Sequence, residues 1–125
     1  MPYTLRWEPH GVYKEFSGVV SGAELLASVK EVANDFRFYD IQYEISDYLQ
    51  AERTEFSQES LNEVRAVRIG SFMGNPRIKV AMVTLDPEIQ QRMETTITAR
   101  LTLHQTRLFT QLDDANAWLG RTETA

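Results

Sequence analysis

The chain has 125 residues, 42% apolar and 25% charged, with no cysteine. That length fits one domain with a single core, the composition argues against disorder, and the missing cysteine excludes disulfides, thiolate metal sites and cysteine nucleophiles. Thirteen basic against eighteen acidic residues give a net charge of −5, so phosphate neutralisation has little to draw on and no nucleic-acid partner is expected.

The start, Met1-Pro2-Tyr3-Thr4-Leu5-Arg6-Trp7, lacks the apolar run of a signal peptide. No stretch approaches the roughly 18 apolar residues of a membrane span, so no transmembrane segment is expected and a cytoplasmic location is the default. Residues 4–8 alternate Leu5 and Trp7 with polar neighbours, which predicts a half-buried strand. Pro9-His10-Gly11 signals a turn, and residues 11–17 (Val12, Tyr13, Phe16) predict a second strand closing an antiparallel hairpin. Ser21-Gly22-Ala23-Glu24 fits a capping box, and Leu25, Leu26, Val29, Val32, Ala33 and Phe36 recur at helical spacing after it.

Residues 41–49 place Ile41, Tyr43, Ile45, Asp47 and Leu49 on one face of a third strand; residues 52–57 read as a polar loop. The next helix starts at Ser57 or Ser60, with Ser60-Leu61-Asn62-Glu63 the better capping box. It carries Leu61, Val64, Val67 and Phe72, with Arg68 inside the apolar stripe, and closes near Gly70, Gly74 and Asn75-Pro76. Residues 78–85 form the most apolar strand and show little alternation, as expected when both faces are covered. Asp86-Pro87 opens a helix whose inner face is Ile89, Met93, Thr96 and Ile97, because Asp caps and Pro lacks only an amide with no partner there. Residues 106–109 read as the last strand. Thr110-Gln111-Leu112-Asp113 resembles a capping box for a final helix with Ala115, Trp118 and Leu119, ended at Gly120.

The order β-β-α-β-α-β-α-β-α predicts an α/β domain with four helices on a five-stranded mixed sheet: one antiparallel strand, then four parallel ones joined by right-handed crossovers. The domain is expected over 1–120, with 121–125 a flexible C-terminal tail.

Three segments carry a family resemblance. They are Phe16-Ser17-Gly18 with Ser21-Gly22-Ala23-Glu24-Leu25-Leu26, then Asn75-Pro76-Arg77-Ile78-Lys79-Val80-Ala81-Met82-Val83-Thr84, then Phe109-Thr110-Gln111-Leu112-Asp113-Asp114-Ala115-Asn116-Ala117-Trp118-Leu119. Across nearly the whole chain this pattern resembles STAS domains, most closely the SpoIIAA-like (STAS/Sec-type, lipid-binding-like) group. The resemblance implies the SpoIIAA-like fold and a binding or regulatory role. It also implies a phosphoserine site after the third strand, but the Asp-Ser-Ser-Gly-like tetrad that carries it has no counterpart in residues 47–57, so that switch is not carried over.

Asp47 and Tyr48 lie near the carboxyl end of the third strand, and Thr84 and Asp86 beyond the end of the next, where ligands of open α/β sheets gather. All four are candidate ligand-binding residues. The competing readings are an Asp47 that accepts loop amides and an Asp86 that caps its helix. Thr54 and Ser57 are candidate phosphosites, favoured by a helix start but equally explained by ordinary capping. Arg65 and Arg68, with Arg77 and Lys79, make a candidate anion patch if they share a face. His10 and His104, without acidic or thiol neighbours at ligand spacing, read as a turn residue and a surface residue, so no metal site is expected. Phe36, Phe38, Tyr39, Tyr43 and Tyr48 could wall an apolar pocket or a homodimer face. No nucleophile motif and no phosphate-binding loop occurs, so no catalytic residues and no cofactor are assigned. The leading expectation is a non-enzymatic regulatory module that binds a protein partner. The alternatives are a carrier or sensor of a small apolar ligand or lipid and, behind it, a small enzyme using Asp47.

Overall fold

The structure is a computed structural model that describes residues 3–98 and 104–122. Strand β1 (Tyr3–Trp7) runs antiparallel to β2 (Gly11–Ser21), with Tyr3 opposite Phe16 and Trp7 opposite Val12. The turn between them closes with the Glu8 amide donating to the Gly11 carbonyl at 2.8 Å. Helix α1 (Gly22–Ala33) follows without a loop. Ser21 caps it reciprocally, its hydroxyl accepting from the Glu24 amide while the Glu24 carboxylate accepts from the Ser21 amide. A short 3₁₀ turn, Phe36–Asp40, then leads to β3 (Tyr43–Glu55).

Helix α2 (Gln58–Gly74), β4 (Lys79–Val83), α3 (Pro87–Thr98), β5 (Gln105–Phe109) and α4 (Leu112–Leu119) complete the chain. The sheet order is β1-β2-β3-β4-β5, and every pairing after the first is parallel. The expected mixed five-stranded sheet is present.

Period-two alternation sorts the strand residues onto two faces. Phe16 and Tyr48 on one face pack with Leu25 and Val29 of α1 and Ile89 of α3, with Leu61, Val64 and Val67 of α2 at the margin. A second cluster extends this layer through Val12, Val32, Phe38, Ile41, Ile78 and Val80. The opposite face packs Tyr13, Tyr43, Ile45, Ala81 and Val83 against Ala115, Leu112, Trp118 and Leu119 of α4. Each fully buried aliphatic or aromatic side chain here contributes about 1.5–3 kcal/mol. Three helices on one face and one on the other follow from parallel neighbours joined by crossovers of one hand.

Several expectations are corrected. Strand β2 continues to Ser21 and β3 to Glu55, so residues 52–57, read as a loop, are mostly strand. Pairing rather than polarity decides this, because Ser17–Ser21 hold Gln50–Glu55 in register. Ser57, not Ser60, caps α2, its hydroxyl accepting from the Ser60 amide at 3.1 Å. Gln111 occupies the cap position of α4 without a side-chain bond, in place of the capping box expected at Thr110. Gly120 ends α4 at φ 66°, the left-handed conformation expected of it. His104, expected at the surface, is buried; its Nε2 lies 2.9 Å from the Asn75 carbonyl oxygen and its ring meets Phe72 edge-on. Burial, partly offset by that bond, pushes its pKa down.

Arg121, expected in the loose tail, is also buried, and its guanidinium grips the Glu8 carboxylate through two bonds of 2.9 and 2.7 Å. Residues 123–125 of that expected tail lie outside the described residues, as does the side chain of Ile97 expected on the inner face of α3.

Candidate functional site

The parallel strands end unevenly. The last β3–β4 pair is Asp47 with Val83, yet β3 runs on with β2 to Glu55. A β2–β3 ribbon therefore outgrows β4, and a notch opens where β4 would have continued. Two irregularities shape the ribbon: β3 carries an extra residue against β2 between the Glu15 and Ser17 pairings and another between those of Gly18 and Val19. Such bulges bend and twist a strand pair. Gly18, at φ 65°, supplies the left-handed backbone beside the second one.

Beyond Val83 the chain leaves the β3 side. The Thr84 amide donates to the Phe109 carbonyl of β5, the Thr84 hydroxyl accepts from the Asp86 amide at 3.0 Å, and Asp86 Oδ1 accepts from the Glu88 amide at 2.9 Å to start α3. Gln90 of α3 donates to the Thr84 carbonyl and fixes the corner. The notch is a cleft of about 370 Å³ between β3 (Tyr48, Leu49, Ala51, Glu52, Arg53) and the corner (Thr84, Leu85, Asp86, Pro87, Ile89). Leu85 stands at its mouth, 67% exposed.

Three of the four sequence-selected ligand residues, Tyr48, Thr84 and Asp86, line this cleft. Asp47 does not. It belongs to the α4 face, where its Oδ2 accepts from the buried Tyr13 hydroxyl and its Oδ1 from the Leu49 amide at 2.8 Å. Asp47 thus organises the first bulge, and burial together with the Asp47 carboxylate raises the pKa of Tyr13.

Thr54 lies on β3 rather than in a loop, and Ser57 is the exposed cap of α2, its hydroxyl 2.9 Å from that of Ser60. Arg65 and Arg68 do not form a common patch. Arg65 is exposed, whereas Arg68 reaches inward to the buried Glu44 at 3.3 Å. The aromatic stretch also divides: Phe38, Tyr43 and Tyr48 are core, whereas Phe36 and Tyr39 are exposed, Tyr39 lining a second cleft of about 260 Å³ between α1, the 3₁₀ turn and α2.

Sequence reading missed two ionic groups. Beneath α2, Lys14 of β2 lies 3.0 Å from Glu44, both side chains essentially inaccessible, and Arg68 covers them. The Lys14 ammonium is close enough for an ion pair but off line for a hydrogen bond. Burial lowers the Lys14 pKa against the attraction of Glu44. For Glu44 burial acts upward, but the charges of Arg68 and Lys14 outweigh it and hold the carboxyl far below its usual range. The available signal was phase: Lys14 stands between Val12 and Phe16 at period two. On the other face, Glu8 accepts from Arg121, Tyr43 and Arg6. Arg121, chiefly through its hydrogen bonds, holds Glu8 at a pKa of about 2 against the cost of burial. Burial and the Glu8 bond push Tyr43 up to about 12.

Among the described residues there is no cluster of three or more metal-ligating side chains and no helix long and apolar enough to cross a membrane.

No family model and no curated protein sequence matches the chain. Solved structures do resemble it. The anti-sigma factor antagonist SpoIIAA in its unphosphorylated form superposes with a TM-score of 0.65 over 97% of this chain and 99% of that one, at 6% identity. An uncharacterised DUF3478 protein with a SpoIIAA-like fold from Shewanella loihica gives 0.58 over 94% and 91%, at 14% identity. An anti-sigma factor antagonist from Mycobacterium paratuberculosis gives 0.59 over 94% and 92%, at 13% identity. The chain has the SpoIIAA-like fold.

Proposed function

We propose that this domain is a non-enzymatic regulatory module that works by binding a partner protein. The observation that carries the reading is the state of the polar groups at the carboxyl edge of the sheet. Thr84 and Asp86 already accept backbone amides that shape the corner, and Asp47 is bonded to Tyr13 and Leu49 on the other face. A general acid or base needs a proton-transfer atom directed at its substrate, and these oxygens are directed at the protein itself. What the edge presents outward is shape and an exposed Leu85, the features of a contact surface. The fold shared with two anti-sigma factor antagonists supports the same reading by analogy. An apolar-ligand carrier would hold its cargo between the helices and the sheet. That layer is filled by the stacked rings of Phe16 and Tyr48, 4.5 Å apart, and by the Lys14–Glu44–Arg68 group.

Tagged protein recovered from its native cells is expected to elute with one partner in stoichiometric amount, in a complex that re-forms from the two purified components. A chain that stays free there, and that turns over ester, phosphate or nucleotide substrates in a reaction abolished by Asp47→Ala, overturns the proposal.

A further inference from the structure

We infer that the notch beside β3 is a strand-addition site: it takes an extended segment of a partner protein, which pairs with the β3 edge in the lane that β4 vacates. The inference rests on the binding-module reading above and names the surface and the form of the partner.

Backbone demand is the first ground. The β3–β4 pairing stops at Asp47–Val83; beyond it the β3 chain keeps β2 on one side only, and among the described residues no main-chain bond outside the strand pairings reaches 49–55 from the β4 side. A strand edge left open presents a row of amide and carbonyl groups that another extended chain satisfies. Fit is the second ground. The vacated lane is a formed cleft with side-chain walls, and strands of about five or six residues are the usual length for such pairing. Successive side chains of an added strand point to opposite faces, so alternate residues would meet Leu85 and Pro87 and the rest would meet solvent.

Charge narrows the occupant. The charged residues on the walls are Glu52, Arg53 and Asp86, a net of one negative charge. Arg53 is held by Glu55 at 3.2 Å and Glu52 at 3.8 Å. The segment that fits is therefore neutral to basic, with apolar residues at every second position. The same charged residues guard the open edge against indiscriminate pairing, including pairing between copies of this chain.

The test uses a phage-displayed library of random twelve-residue peptides, panned on the full wild-type chain. Enriched peptides are expected to alternate apolar with neutral or basic residues and to slow amide exchange in 49–55. They should bind Leu85→Asp at least tenfold more weakly while that variant melts like the wild type. Enriched peptides that protect another segment, or that bind Leu85→Asp equally well, overturn the inference, as does a library that yields none. A partner protein recovered from cells that binds Leu85→Asp as tightly as wild type overturns the notch and leaves the binding-module reading standing. A chain for which neither peptide nor partner is found loses both.

Discussion

Lys14 and Glu44 are buried, Arg68 covers them from α2 with its side chain partly exposed, and the group carries one excess positive charge, so its members are not equivalent. Glu44 neutralises two cations, so replacing it leaves both uncompensated in a low-dielectric layer. Glu44→Gln is expected to cost about 3–5 kcal/mol, seen as a lower urea midpoint at unchanged slope. Lys14→Met removes the cation that lacks a bonded partner and leaves Glu44 with Arg68; it is expected to stay within about 1 kcal/mol of wild type. Equal losses from the two substitutions would contradict this account. Glu8 makes a pH-dependent contribution on the other face. Its folded pKa near 2 lies below the ordinary 4.5, so its stabilisation is complete above pH 4.5 and is lost as the pH falls toward 2. Arg121 is the first cause of the depression. The melting-temperature gap between wild type and Arg121→Ala should therefore be widest above that window and shrink through it. A gap independent of pH would show that Arg121 acts through packing alone.

Among the elements, α2 stands apart. None of its residues is buried, although it is the longest helix described. It rests on half-buried Leu61, Val64 and Val67 and on the Arg68–Glu44 pair, whereas α1 buries Leu25, Val29 and Val32. Few buried apolar contacts mean a low free energy of local opening. Amides of α2 should exchange roughly tenfold or more faster than those of α1 under native conditions, as read by hydrogen-exchange mass spectrometry. Equal protection would mean that the two helices open only with the whole domain. The β2–β3 ribbon is the opposite case: long pairing keeps a polar, exposed segment extended, so the open edge is held ready rather than ordered on contact. A preorganised edge lowers the ordering cost of binding.

For the molecule as a whole, the asymmetry of the sheet matters more than its outline. Identities of 6–14% with the superposed structures establish a shared frame and no shared residue roles. Within that frame the amino ends of β3 and β4 stay paired, and only the carboxyl ends diverge. The region where side chains and main chain face outward together is thereby placed at one edge, the arrangement expected of open α/β sheets. The exposed Tyr39 lines the second cleft at the carboxyl end of α2.

Local rules reached the frame from sequence alone. Capping at Ser21 and Glu24, the Asp86-Pro87 helix start and the Gly120 stop each depend on residues within one turn; alternation identified the early strands and a continuous apolar run the fourth. The element order and the parallel sheet follow from those pieces. What the amino acids in line could not show depended on partners distant in the chain. Residues 52–57 read as a loop because they are polar, and only pairing of the β3 end with β2 makes 52–55 strand. Lys14, Glu44 and Arg68 lie on three separate elements, so their ionic group exists only once the sheet and α2 are assembled. Asp47 and Thr84 reach the same edge, but Asp47 keeps the phase of Tyr43 and Ile45 and so faces α4, where Tyr13 bonds it. Periodicity records which residues face inward; the meeting of distant segments decides what each of them touches.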